Sequence, residues 1–163
     1  MRYLSILDCD IADGVGVRIA LFVAGCNHHC LNCHNPETWN EKAGRPFTEE
    51  TKRELFRLLN KDYIDGLTLS GGDPLFPNNR EPLTELCKEV KERFPNKTIW
   101  CWTGYLYEQV QDLPIMEYID VLVDGPYIDS QRDITLNWRG SPNQRVIDVQ
   151  KTRKENEIVL FCK

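Results

Sequence analysis

Three cysteines, Cys26, Cys30 and Cys33, stand in one short loop with three and then two residues between them, and all three histidines, His28, His29 and His34, fall in the same stretch. Thiolates this close in sequence can face a common point only if the loop wraps around something. In a reducing compartment that something is a soft metal ion or an iron–sulfur cluster. Two occupants fit. Zinc would take the three sulfurs and one histidine in a closed tetrahedron. A cubane [4Fe-4S] cluster would take three sulfurs at three irons and leave the fourth iron open to a small molecule. Context weighs toward the cluster, because a structural zinc ion usually staples a module that lacks a core, whereas this loop leaves an apolar strand in a chain long enough to fold unaided. A plain electron carrier would close the cluster with a fourth protein ligand. None lies near the loop, although Cys101 could reach it by folding.

A second group follows about forty residues downstream. In Ser70-Gly71-Gly72-Asp73-Pro74 two adjacent glycines let the backbone approach a ligand closely and expose its amides and carbonyls. An isolated pair of this kind more often closes a strand in a tight turn. Beside an open-coordinate cluster it suits a polar, amino-acid-like group. Asp73 is either a ligand-facing residue or the cap of the turn that follows. Trp102-Thr103-Gly104-Tyr105 is a third unusual string, a cofactor contact or a strand-end turn with core aromatics. Gly14-Val15-Gly16 lacks the context of a dinucleotide fingerprint, and Cys9, Cys87, Cys101 and Cys162 read as small packing residues.

The elements that must position these groups alternate. Strands are expected over 2–7, 17–24, 64–69, 98–102 and 121–123, the second too apolar for a surface strand and so buried on both faces. Helices are expected from the cap Thr48 to about Asn60, with Leu55, Leu58 and Leu59 on one face, and over 81–94, with Pro82 in the first turn; a short one covers 105–111. Residues 145–149 and 157–162 read as a hairpin or a pair of edge strands. Strand alternating with helix implies a parallel sheet. A full eight-fold barrel takes about 250 residues, so the α/β fold expected is an incomplete, open-sided (β/α) barrel with mostly parallel strands, or a doubly wound sheet. Both carry their chemistry at the carboxyl ends of strands. Gly25-Cys26, the Gly-Gly turn and the Trp102 string each sit where a strand runs out, and should converge on one mouth.

Composition sets the outer limits. With 163 residues, 41% hydrophobic and 28% charged, one domain over 1–163 is expected. Lys+Arg number 20 against 25 Asp+Glu, a net charge of −5, which supplies no basic stripe for a nucleic acid. The longest apolar run falls far short of the roughly 20 residues that cross a bilayer. Asp8 cuts off any signal-like segment at the start. A cytoplasmic chain with reduced thiols is expected, without nucleic-acid or membrane partners.

The spacing in Cys26-Asn27-His28-His29-Cys30-Leu31-Asn32-Cys33 resembles the signature of the radical S-adenosylmethionine superfamily, and Gly71-Gly72-Asp73 resembles its glycine-glycine-acid motif, with aspartate where glutamate is commoner. Asn32 stands where the superfamily often has an aromatic residue. Four further strings, Asp13-Gly14-Val15-Gly16-Val17-Arg18, Cys33-His34-Asn35-Pro36-Glu37-Thr38-Trp39, Trp102-Thr103-Gly104-Tyr105 and Arg139-Gly140-Ser141-Pro142-Asn143-Gln144-Arg145, make the chain look like a glycyl-radical-enzyme activase, most closely of the group serving anaerobic ribonucleoside-triphosphate reductase. The resemblance implies a [4Fe-4S] cluster on Cys26, Cys30 and Cys33. It implies S-adenosylmethionine held at its methionine amino group by the Gly71-Gly72 backbone and at its adenosyl moiety by Asn32, Cys33 and His34, with Asp73 and Thr103 as further candidate contacts. The implied partners are the glycine-bearing loop of the reductase large subunit and a small reductant such as flavodoxin. No acid–base catalytic residue is required, because the cofactors carry the chemistry and the protein orients the reacting atoms and excludes water. The histidines are loop residues or hydrogen-bond to the groups around the cluster and its ligand. The 139–145 string either docks the partner or forms a turn. An activase of the formate-lyase type and a zinc-stapled interaction module are the alternatives.

Overall fold

The computed structural model describes residues 1–162. Eight strands form one sheet: β1 Arg2–Asp10, β2 Arg18–Val23, β3 Arg45–Pro46, β4 Gly66–Gly71, β5 Thr98–Trp102, β6 Val121–Asp124, β7 Arg145–Asp148 and β8 Leu160–Cys162, in the spatial order β3-β1-β2-β4-β5-β6-β7-β8. Four α-helices accompany it: α1 Glu49–Leu59, α2 Pro77–Arg93, α3 Tyr107–Val110 and α4 Val149–Glu155.

Only the centre of the sheet, β2-β4-β5-β6, is parallel; β1 runs antiparallel to both β2 and β3, and β7 to both β6 and β8. The expectation of mostly parallel strands therefore holds for the core and not for the flanks. The reason is connection length. A parallel neighbour needs a crossover of a dozen or more residues, usually helical, and the seven residues between β1 and β2 cannot make one. The parallel strands do have theirs: α1 links the β2 side to β4, and α2 links β4 to β5. Registers Val23↔Gly71, Leu69↔Cys101 and Trp102↔Val123 bring the carboxyl ends of these four strands level with one another.

Local chemistry explains most boundaries. Thr48 caps α1 as its spacing predicts, its hydroxyl accepting from Thr51 N while Thr51 Oγ1 accepts from Thr48 N, each at 3.2 Å. Leu55, Phe56, Leu58 and Leu59 then face the core. Helix α2 starts four residues earlier than expected, with Pro77 in the first turn; Pro82 consequently lies inside the helix. The polar stretch after β7 is not a hairpin loop but α4, capped by Asp148, whose side chain accepts from Lys151 N at 3.1 Å. Cys87 and Cys101 pack in the core as expected, whereas Cys9 is exposed and Cys162 only half-buried.

One buried charge stands at the amino-terminal foot of the parallel core. Arg18 is fully enclosed and spends all its donors: Nε to Thr68 Oγ1 (2.8 Å), Nη1 to Val15 O (3.0 Å) and Thr98 Oγ1 (2.9 Å), Nη2 to Leu67 O (2.9 Å) and Thr98 O (2.8 Å). Burial pushes its pKa down to about 10, opposed by the charge of Asp65. Three parallel strands are thus bolted together at the end remote from the cysteines.

Candidate functional site

The three strings singled out by sequence do share one mouth. A cavity of about 180 Å³ is lined by Cys26, Cys30 and Cys33, by His34, by Gly71, Gly72 and Asp73, and by Thr103. His28, Trp102, Gly104, Tyr127 and Gln144 are among the other residues of its walls. Asn32 alone among the expected cofactor-contacting residues does not line it. Its left-handed backbone (φ 56°) and exposed side chain lead outward, where Nδ2 donates to Asp129 Oδ2 at 2.9 Å.

Glycine is required where β2 and β4 end, because the two chains nearly touch. Gly71 has φ 105°, and a Cβ there would lie 2.5 Å from Val23 N; one on Gly72 would lie 2.5 Å from Gly25 O. In their place the backbones exchange hydrogen bonds. Gly72 N donates to Val23 O (2.8 Å), Asp73 N to Gly25 O (2.7 Å), Gly25 N to Thr38 O (2.7 Å) and Cys26 N to Trp39 O (3.1 Å). The Gly-Gly turn therefore lies against the loop that carries the cysteines, not merely near it.

Asp73 both caps the turn that follows and borders the cavity. Its carboxylate is 1% exposed and receives four donors: Leu75 N at 2.8 Å, the Thr103 hydroxyl at 2.9 and 3.0 Å from the two oxygens, Gly104 N at 2.9 Å, and His28 Nε2 at 2.6 Å. The bond to Leu75 is the capping role; the other three reach across to β5's exit and the cysteine loop. Thr103, expected as a cofactor contact, spends its hydroxyl on Asp73 while still facing the cavity.

Each histidine of the loop grips a different part of the protein. His28 packs edge-on against Tyr105, with ring centres 4.6 Å apart, and fills the space a Gly104 side chain would need. His29 stacks flat on Trp39 at 4.5 Å, and His34 leans on Tyr127 at 5.7 Å. Sequence offered these residues only as loop or outer contacts; His29 meets a residue ten positions on, whereas the His28 and His34 pairings join segments far apart in the chain and no local pattern announces them.

The thiols differ. Burial pushes Cys26 up to about 11, so its proton must be displaced when a metal binds. Asn35 N donates to Cys33 Sγ at 3.4 Å. Among the described residues no three of His, Cys, Asp and Glu are drawn together tightly enough for a single ion; the sulfurs border a cavity rather than one point. Cys101 lies fully buried inside β5 and is absent from the cavity wall. The 139–145 string folds as a braced turn, and its Gln144 forms part of that wall.

Comparison with known proteins agrees with this donor set. Residues 12–147 match the family described as "4Fe-4S single cluster domain". The chain is 49% identical over 146 residues to the anaerobic ribonucleoside-triphosphate reductase-activating protein of Enterobacteria phage T4, covering 90% of this chain and 93% of the relative. It is 43% identical over 148 residues to the protein of that name from Haemophilus influenzae (88% and 96%) and 39% identical over 150 residues to that of Escherichia coli K12 (90% and 97%). The cysteine-lined mouth at the end of a parallel core thus has its counterpart in a known group, and the chain belongs to the 4Fe-4S single cluster domain family and, within it, to the anaerobic ribonucleoside-triphosphate reductase-activating proteins.

Proposed function

We propose that the chain activates an anaerobic ribonucleoside-triphosphate reductase in the cytoplasm by installing a glycyl radical in its large subunit. When bound, a [4Fe-4S] cluster and S-adenosylmethionine supply the chemistry: one electron from the reduced cluster splits the sulfonium into methionine and a 5′-deoxyadenosyl radical, which takes a hydrogen atom from a glycine Cα of the reductase. The observation that carries this reading is the count of thiols. Among the described residues three cysteines border the cavity and no fourth does, which leaves one iron of a cubane for a small molecule.

The protein's own part is to bind and orient. Cys26, Cys30 and Cys33 hold the cluster. The Gly71-Gly72 backbone, kept free of side chains, takes the amino-acid end of S-adenosylmethionine, and His34, Cys33 and Thr103 flank the adenosyl end. Asn32, outside the cavity wall and with its side chain engaged by Asp129, acts there only by setting the course of the loop into Cys33. Asp73 holds Thr103, Gly104 and His28 in place around the ligand. The eight-stranded sheet is read as an incomplete, open-sided (β/α) barrel, with the whole of 1–163 as one radical S-adenosylmethionine domain. Flavodoxin is the proposed electron donor; nucleic acid and membrane are not partners in this scheme. No helix of the described residues is long and apolar enough to cross a membrane.

The test is anaerobic. Reconstituted protein with dithionite and S-adenosylmethionine should form 5′-deoxyadenosine and methionine, Cys30→Ala should abolish this, and adding the reductase large subunit should produce a glycyl radical doublet in electron paramagnetic resonance. Full cleavage by Cys30→Ala, or oxygen-free material holding one zinc and no inorganic sulfide, overturns the reading.

A further inference from the structure

The 139–145 string lies behind the cysteine loop and is knitted to the exit of β6. Gly140 N and Ser141 N both donate to Gln144 Oε1, at 3.0 and 3.2 Å. Gln144 Nε2 donates to Gly125 O at 3.2 Å, Asn143 Nδ2 to Pro126 O at 2.7 Å, and Ile128 N to the buried Ser141 hydroxyl at 3.1 Å. A side chain on Gly140 would strike the Tyr127 ring at 2.8 Å. The turn therefore fixes where Tyr127 and its neighbours sit.

What they hold is the surroundings of one cysteine. Tyr127 carries its ring against His34, which follows Cys33, and donates its hydroxyl to Asp129 Oδ1 at 2.9 Å. The other oxygen of Asp129 accepts from the side chain of Asn32, which precedes Cys33. Asn32 adopts a left-handed conformation (φ 56°), which asparagine takes more readily than most residues, and the bond to Asp129 ties its side chain down next to the Cys33 thiol. Among the described residues no hydrogen bond from this segment reaches Cys30.

We propose that Tyr127 and Asp129, braced from behind by the 140–144 turn, form a clamp on both neighbours of Cys33, and that Asp129 is a positioning residue for this third thiol. The inference rests on the reading of Cys33 as a cluster ligand, and it gives the 139–145 string a task that needs no partner protein.

The experiment uses cluster-free protein under anaerobic conditions, with iodoacetamide labelling of Cys33 and Cys30 followed by mass spectrometry. Loss of the two Asp129 bonds in Asp129→Ala should speed labelling of Cys33 about threefold to tenfold relative to Cys30. Asp129→Asn, which keeps one acceptor, and Tyr127→Phe, which keeps the ring, should give smaller increases. In reconstituted protein, bathophenanthroline should strip iron several-fold faster from Asp129→Ala than from the parent. An unchanged Cys33-to-Cys30 ratio, or equal acceleration at both, overturns the clamp. Because labelling needs no cluster, its outcome stands apart from the metal and sulfide analysis that tests the activating function.

Discussion

Replacing Asp73 by asparagine removes one proton acceptor from a site that has four donors and no solvent, and the structure fixes how much that costs. If the new amide nitrogen takes the Oδ1 position, it faces Leu75 N–H, which cannot move, and the Thr103 hydroxyl. If it takes the Oδ2 position, His28 can present a lone pair on Nε2 and the hydroxyl can turn to accept, but Gly104 N–H at 2.9 Å still opposes it. The less costly orientation therefore orphans one half-buried amide and loses a charge-assisted bond, an expected destabilisation of about 2–3 kcal/mol. Against a urea slope of about 2 kcal/mol/M for a small domain, the midpoint should fall by roughly 1 M. Tryptophan fluorescence of the cluster-free protein in urea reads this directly. Asp73→Ala, which orphans all four donors, should fall further. A cycle combining Asp73→Asn with His28→Gln should show coupling of roughly 0.5–3 kcal/mol. A midpoint for Asp73→Asn within error of the parent would refute the reasoning, because four donors on a buried carboxylate cannot be indifferent to its loss.

Three other outcomes are expected. Asp13 is pushed up to about 7, first by burial and then by its bond to and charge from Asp10; the fold thus binds this proton more tightly than the unfolded chain, stability falls as pH rises from about 4 to 7, and Asp13→Asn should melt higher than the parent above pH 7 but not near pH 4. Gly71→Ala should fail to fold stably, because its Cβ would meet Val23 backbone at 2.5 Å, whereas Gly125→Ala, also at positive φ (91°) but with its nearest neighbour at 3.6 Å, should lose only the strain of roughly 1–3 kcal/mol. Arg18→Met strands the carbonyls of Val15, Leu67 and Thr98, with an expected loss of about 3–5 kcal/mol and a melting point lower by about 10 °C, while the labelling rates of Cys30 and Cys33 stay unchanged.

The sequence exposed the mouth more readily than its wiring. Apolar runs ending in glycine marked the ends of β2 and β4, and parallel topology then required those ends to meet. The Thr48 cap and the leucines that follow it located α1 within a residue. Short pieces were another matter: β3 has two residues and no periodicity to show, and α4 has seven, too few for an apolar stripe, although the Asp148 cap was there to be read. Pro82 misled because a proline near a helix start is usually in the first turn, and here Pro77 already occupied it. The contacts that fix the site, His28 with Asp73 and Asn32 with Asp129, link positions 45 and 97 residues apart. Such pairs leave no trace in composition or spacing. Arg18 had a visible signal, a lone cation in an apolar strand, whose meaning depended on which carbonyls would surround it.

The four-donor knot on Asp73 has a kinetic consequence. Three loops that each leave a different segment of chain lose their independent motion during folding, before any small molecule arrives. The entropy of arranging the pocket is then already lost, and capture of the ligand has less reorganisation to await. Association there should be governed by access through the mouth, and perturbing the tied strand ends should bring the ordering step back into the binding event.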